Sequence, residues 1–114
     1  MNKVIKEKWL EALRSGKYKQ GKSCLREKDT YCCLGVLCDI YAKEKSVKWL
    51  EKNSIFWILN ISSVLPNEVM NWAGLEENNP IVVPHGVSNT QRLAGINDAG
   101  LEFPRIAKLI EEYL

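Results

Sequence analysis

The chain has 114 residues, 46% apolar and 26% charged, which predicts one folded domain with its own core and excludes a long disordered segment. Its most apolar stretch, residues 55–61, is far shorter than the ~20 residues that cross a bilayer. The first residues are charged, which argues against a secretory leader. We therefore expect a cytoplasmic protein with reduced cysteines and no membrane partner.

The net charge of +2 is unevenly distributed along the chain. Residues 14–28 contain six bases and one acid, a local charge of +5. Such a basic segment on a nearly neutral body favours an anionic partner.

The chain begins with a predicted helix and a basic hairpin. Asn2 can cap a helix over residues 3–15, which Gly16 would end. Residues 17–31 then predict a basic loop followed by a hairpin, with its turn at residues 27–29.

A buried helix and an ambiguous segment follow. Apolar residues recur at helical spacing in residues 32–42, where Gly35 would let another backbone approach closely. Residues 47–61 fit either a pair of strands or a helix followed by a strand. Pro66 then begins a short helix, which ends at Gly74.

The remainder predicts one more strand and two helices. Residues 81–83 form the strand, and Asn89 or Thr90 caps the next helix, which is broken at residues 97–100. The last helix spans residues 103–113. The elements together predict an α+β fold, a single compact domain of four or five helices with a small antiparallel β-sheet.

The basic segment and a later Asn-Asp turn carry the components of a nucleotide pocket. Lysine and arginine neutralise phosphate, tyrosine can stack on a base, and an amide beside a carboxylate can bind a base edge or a ribose hydroxyl. The predicted ligand-binding residues are Arg14, Lys17, Tyr18, Lys19, Gln20, Arg26, Arg92, Asn97 and Asp98. The alternative is that the lysines are merely solvated and that the turn residues cap their own backbone. The chain contains no phosphate-loop pattern.

The four cysteines are predicted to be small buried hydrophobic residues. Their spacing lacks the two C-x(2–4)-C pairs of a structural zinc site. Cys32 or Cys33 with His85 would be a candidate catalytic dyad, but the surroundings are apolar and His85 is the chain's single histidine. We expect no catalytic residue, no metal and no cofactor.

Several short motifs follow one another in a specific order. They are LRSGKYKQG at residues 13–21, YCCLGVLCD at 31–39, LPNEV at 65–69, WAGL at 72–75 and NDAG at 97–100. In this order they resemble a family of small proteins from tailed-phage and prophage genomes. The resemblance implies a phage accessory protein and carries no assigned mechanism.

These observations favour a non-enzymatic phage accessory protein of one domain, residues 1–114. We expect it to counter a host defence by sequestering a phosphorylated nucleotide signal, cyclic or of the ADP-ribose type. One alternative is an interaction module that inhibits a host protein through an exposed, tryptophan-rich face around residues 47–59. Trp49 and Trp57 in this segment could also line a pocket or an oligomer interface. The other is a phage regulator that binds DNA through residues 90–113. Nucleic acid is disfavoured because the last helix carries more acids than bases.

Overall fold

Five helices and seven short strands make up the described part of this computed structural model, residues 1–84, 86 and 89–114. The helices are α1 (Lys3–Arg14), α2 (Cys33–Lys45), α3 (Asn67–Ala73), α4 (Leu93–Asp98) and α5 (Phe103–Tyr113). The strands are β1 (Lys19–Gln20), β2 (Arg26–Glu27), β3 (Thr30–Tyr31), β4 (Leu50–Lys52), β5 (Ile55–Trp57), β6 (Ile81–Val82) and β7 (Gln91–Arg92). The Cα radius of gyration is 13.0 Å, as expected for a compact domain of this length. The predicted α+β class is confirmed.

The main sheet is mixed, and a small antiparallel pair lies apart from it. Strands β1 to β5 are ordered β1-β3-β2-β5-β4, while β6 pairs with β7. The predicted hairpin is present as β2 and β3, but β1 lies parallel to β3. The backbone N–H of Gly21 donates to the carbonyl of Tyr31 at 2.8 Å, which holds the chain beside β3 before it returns to form β2.

In residues 47–61 the chain forms the strand pair β4–β5. Lys52 pairs with Ile55 across a two-residue loop, Asn53-Ser54. Both loop residues have positive φ, 55° and 71°, the left-handed geometry of a tight hairpin turn whose twist matches the strands.

Helices α1, α2 and α5 surround the core. Asn2 caps α1 as predicted, because its Oδ1 accepts the N–H of Ile5 at 3.0 Å. Trp9 is fully buried and donates its indole N–H to the Cys33 carbonyl at 3.0 Å, which joins α1 to the start of α2. The last helix buries one stripe, consisting of Phe103, Ile106, Ala107, Leu109 and Ile110.

The start of α4 differs from the sequence prediction. Neither Asn89 nor Thr90 caps this helix, because residues 91–92 form β7 and pair with β6. The N–H of Ala94 is instead accepted by Oδ1 of Asn79 at 3.0 Å. The break predicted at residues 97–100 begins two residues later, because Asn97 and Asp98 still belong to α4.

Candidate functional site

An open groove of about 500 Å³ lies between the end of α1, the loop after it, β3 and the outer face of α2. Its charged and aromatic lining comprises Lys8, Glu11, Lys17, Tyr18, Tyr31, Asp39 and Lys43. The groove forms because α1 and α2 pack together while the following loop carries Tyr18 across to α2. The groove thus combines two tyrosine rings with three lysines and two acids.

Asp39 fixes the floor of this groove. The side chain of Asp39 is buried, and its residue is 6% exposed. Its Oδ2 accepts the hydroxyl of Tyr18 at 2.6 Å and lies 3.2 Å from the ammonium of Lys43, one helical turn along α2. Its Oδ1 accepts the indole N–H of Trp49 at 3.0 Å. A buried carboxylate needs such partners because desolvating an unpaired charge is costly.

The two groove tyrosines are neutral phenols. Burial, aided by the hydrogen bond to Asp39, raises the pKa of Tyr18 well above its usual value. Burial likewise raises the pKa of Tyr31. The two rings pack edge to face with their centroids 5.0 Å apart, so each ring restricts the orientation of the other.

Arg26 is stacked among the aromatic rings next to the groove. Its guanidinium carbon is 3.9 Å from the ring centre of Phe56 and 5.0 Å from that of Tyr31. Its Nε donates to the carbonyl of Lys28 at 2.9 Å. Among the described residues no hydrogen-bond partner reaches its two terminal nitrogens, and Arg26 is not one of the residues that line the groove.

The predicted ligand-binding residues do not converge on one site. Lys17 and Tyr18 line the groove, whereas Lys19 is an exposed residue of β1 outside the lining. Arg14 pairs with Glu111 on α5 at 3.4 Å. The other arginine, Arg92, pairs with Glu77 at 2.6 Å on another part of the surface.

Gln20, Asn97 and Asp98 form internal contacts. Asn97 is fully buried, accepts the N–H of Cys33 at 3.1 Å and donates to the carbonyl of Gly21 at 2.8 Å. Gln20 donates to the Asn97 amide oxygen at 3.0 Å and accepts the N–H of Phe103, which caps α5. Asp98 accepts the N–H of Ser23 at 3.0 Å. These three side chains hold the basic loop against α4 and α5.

Sequence reasoning missed five charged or aromatic groove residues: Lys8, Glu11, Tyr31, Asp39 and Lys43. A signal existed for Asp39, because it is the one acid in the apolar run of residues 32–42. A buried charge needs a partner, and Lys43 lies four residues later on the same helix face. The position of Tyr31 depends on the β1–β3 pairing, which no local pattern indicates.

The comparisons with known proteins yield one family. A family model described as "Domain of unknown function (DUF8296)" matches residues 1–114. The chain belongs to this family. No curated protein and no solved structure matches this DUF8296 chain. In the residues that the structure describes, no helix of this family member is long and apolar enough to cross a bilayer.

The cysteines of this DUF8296 protein are mostly buried and poorly reactive. Burial raises the pKa of Cys32 to about 11 and raises the pKa of Cys33 and Cys38 well above the usual value. The thiols are therefore protonated at neutral pH. The proposed partner His85 lies outside the described residues, within which no group of side chains could hold a metal ion.

Proposed function

We propose that this protein binds a small phosphorylated nucleotide in the α1–α2 groove and sequesters it without chemical change. The observation that carries the proposal is the meeting of two neutral tyrosine rings with three lysines in one groove. Its volume of about 500 Å³ lies within the ~300–1,000 Å³ range of small-molecule sites.

In this proposal the tyrosine rings and the lysines of the groove bind different parts of the nucleotide. A nucleobase can stack against Tyr18 or Tyr31, because every base has a π-face. Lys17 is free for the phosphate, since among the described residues no acid pairs with its ammonium. Lys8 and Lys43 are already paired, with Glu44 and Asp39 at 3.6 and 3.2 Å. Because these carboxylates offset the charges of Lys8 and Lys43, we expect Lys17 to make the main contact with the phosphate.

Binding without catalysis is favoured by the state of the reactive groups. The three buried thiols are protonated and enclosed in the core, so they make poor nucleophiles. Asp39 already accepts hydrogen bonds from Tyr18 and Trp49 and pairs with Lys43, so it is held in place by structural contacts. Stacking and charge neutralisation need no cofactor.

The biological role rests on the sequence resemblance to tailed-phage and prophage proteins. A phage protein that holds a nucleotide signal in the cytoplasm of the host would lower its free concentration and blunt a defence that depends on it. A cyclic nucleotide or an ADP-ribose-type molecule combines the base and phosphate that the groove suits.

Calorimetry against AMP, ADP-ribose and a cyclic dinucleotide tests this function. We expect one of them to bind the wild-type protein with 1:1 stoichiometry per groove and to be recovered chemically unchanged. Lys17→Glu should weaken this binding at least about tenfold, because a charge-assisted hydrogen bond contributes ~1.5–3 kcal/mol and 1.4 kcal/mol is a tenfold change.

Lys22→Glu is the matched control, because Lys22 is an exposed base of the same segment that does not line the groove. It should change the affinity about threefold or less, through long-range charge alone. Equal losses in the two variants would place the ligand elsewhere on the basic segment. Absence of binding by all three nucleotides would contradict the function itself.

A second candidate function, docking to a host protein, is favoured by an exposed apolar pair. Leu50 and Trp57 are cross-strand neighbours on β4–β5, 65% and 39% exposed. Exposed large apolar residues side by side are typical of interaction surfaces. Capture of one host protein from lysate, lost on Trp57→Ser, would favour this alternative. A homo-oligomer through the same face would show as a doubled mass in light scattering.

A further inference from the structure

We infer that Asp39 determines which nucleotides the groove accepts, by selecting ligands that present an N–H or O–H donor to its carboxylate. This inference rests on the proposed nucleotide-binding function and names the chemistry of the ligand. This specificity role belongs to a buried acid that is not among the ligand-binding residues predicted from the sequence.

The carboxylate has one acceptor position left. A carboxylate offers about four lone-pair positions. On Oδ2, two are used by the hydroxyl of Tyr18 and the ammonium of Lys43. On Oδ1, one is used by the indole of Trp49, and no second donor reaches this atom from the described residues. Asp39 also lines the groove, so a molecule bound there would lie next to this carboxylate.

The three partners hold this acceptor in a fixed orientation. Tyr18 reaches Asp39 from the loop before β1, Trp49 from the segment before β4, and Lys43 from α2 itself. A group fixed from three directions loses little entropy when a ligand binds. A ligand without a donor at this position would desolvate the carboxylate and leave it unpaired, which lowers its affinity.

The same charge sets the orientation of the ligand. A phosphate beside Asp39 would be repelled, so the phosphate lies toward Lys17 at the rim and the nucleoside lies inward. Two parts of a nucleoside carry suitable donors, the ribose hydroxyls and the N–H groups of the base. Carboxylates bind both, and the inference is that one of them meets Asp39.

Titration of the wild-type protein with ADP and two analogues tests the inference. In 2′,3′-dideoxy-ADP the ribose donors are absent, and in N6,N6-dimethyl-ADP the base has no N–H. We expect one analogue to bind about 10- to 100-fold more weakly than ADP, as for the loss of one hydrogen bond to a charged group. A loss with the dideoxy compound identifies the ribose, and a loss with the dimethyl compound identifies the base.

The variant Asp39→Asn shows whether this carboxylate causes the discrimination. We expect the difference between ADP and the discriminated analogue to shrink to about threefold or less, which a purely structural role of Asp39 would not produce. Glu51→Gln removes the same charge from exposed β4 and should keep the full difference. If Asp39→Asn does not fold, the affinities of the wild-type protein for ADP and the two analogues are the test of the inference.

The outcomes separate the two claims. Equal affinities for ADP and both analogues would overturn the role of Asp39 and leave nucleotide binding standing. An analogue penalty that Asp39→Asn fully retains would also overturn it. Failure of ADP to bind at millimolar concentration would overturn the inference, and failure of the whole nucleotide panel would overturn the function beneath it.

Discussion

Single polar residues decide how the basic loop is held. Asn97 is fully buried and connects three parts of the chain: the N-terminus of α2 through Cys33, the end of β1 through Gly21, and the side chain of Gln20. Gln20 in turn caps α5 at Phe103. This network fixes the chain at Gln20 and Gly21, directly after the loop that carries Lys17 and Tyr18. The positions of Lys17 and Tyr18 therefore depend indirectly on an amide that no ligand touches.

Replacing Asn97 tests this role. Asn97→Ala leaves the N–H of Cys33 and the carbonyl of Gly21 without partners, and we expect the free energy of unfolding to fall by about 3 kcal/mol. Urea denaturation measures it. Asn71→Ala removes the same side chain from the exposed face of α3 and should change stability by less than about 0.5 kcal/mol. Comparable effects of the two substitutions would contradict the network.

The chemistry of Asn97 and Asp98 was partly predictable from the sequence. Asn and Asp near a helix end indicate side-chain bonds to backbone, and that interpretation agrees with the contacts seen. Their partners, however, are backbone groups of residues 21–33, far away in sequence. A local pattern cannot reveal such partners, since only the tertiary arrangement brings the two segments together.

At the scale of elements, α2 comes very close to the segment before β2 at Gly35. Gly35 lies so close to the backbone of Leu25 that a Cβ there would overlap the Leu25 carbonyl oxygen. The same Leu25 carbonyl accepts the N–H of Cys32 at 3.1 Å. The predicted close approach at Gly35 is therefore confirmed, and it presses β2 against the first turn of α2.

Two glycine-to-alanine substitutions with opposite outcomes test this packing. Gly35→Ala must displace backbone, so we expect a loss of stability of about 3 kcal/mol or more. Gly95→Ala is also inside a helix but has nothing within 4 Å of the added methyl group. Alanine is the better helix former, so this variant should gain up to about 1 kcal/mol. Thermal unfolding of both variants measures these changes in stability. A Gly35→Ala variant as stable as the wild-type protein would contradict the close contact.

Elements with a strong local signal could be predicted, and those fixed by distant partners could not. The boundaries of α1 and α5 follow from Asn2, Gly16 and the apolar stripe of residues 103–113. The predicted start of α4 was wrong because the residue that caps it, Asn79, lies fifteen residues before Ala94. The β4–β5 pair was one of two open alternatives, because residues 47–61 show no decisive period.

At the scale of the whole molecule, charge that is dense in the sequence is dispersed in space. Of the bases in residues 14–28, Arg14 faces α5, Arg26 is stacked among aromatic rings, and Lys17 reaches the groove. The candidate site gains its other lysines from α1 and α2, outside the basic segment. Of these three bases only Lys17 lines the groove, and the other lining residues could be identified only from the fold.

The buried thiols make the stability of the whole domain sensitive to alkaline pH. Folding raises the pKa of Cys32 to about 11, against ~8.5 in an unfolded chain, and raises those of Cys33 and Cys38 as well. Folding therefore favours the protonated thiols. Their contribution is complete below the unfolded pKa and is lost as the pH rises from there toward the folded value.

We expect the free energy of unfolding to fall between pH 8 and pH 10.5, each thiol contributing at most ~1.4 kcal/mol per pH unit. Urea denaturation under reducing conditions at several pH values measures this slope. Cys32→Ser keeps a cap for the N–H of Gly35 and does not titrate there, so its slope should be smaller. A flat profile for the wild-type protein would contradict the burial of protonated thiols.

Nitrogen-15 chemical-shift mapping during titration with the tightest-binding nucleotide tests the groove most directly. We predict that the largest chemical-shift changes occur at the backbone amides of Tyr18, Tyr31 and Lys43. The amide resonances of β6 and β7 should not change. Shifts centred on Leu50 and Trp57, or no shifts with any nucleotide of the panel, would contradict the account.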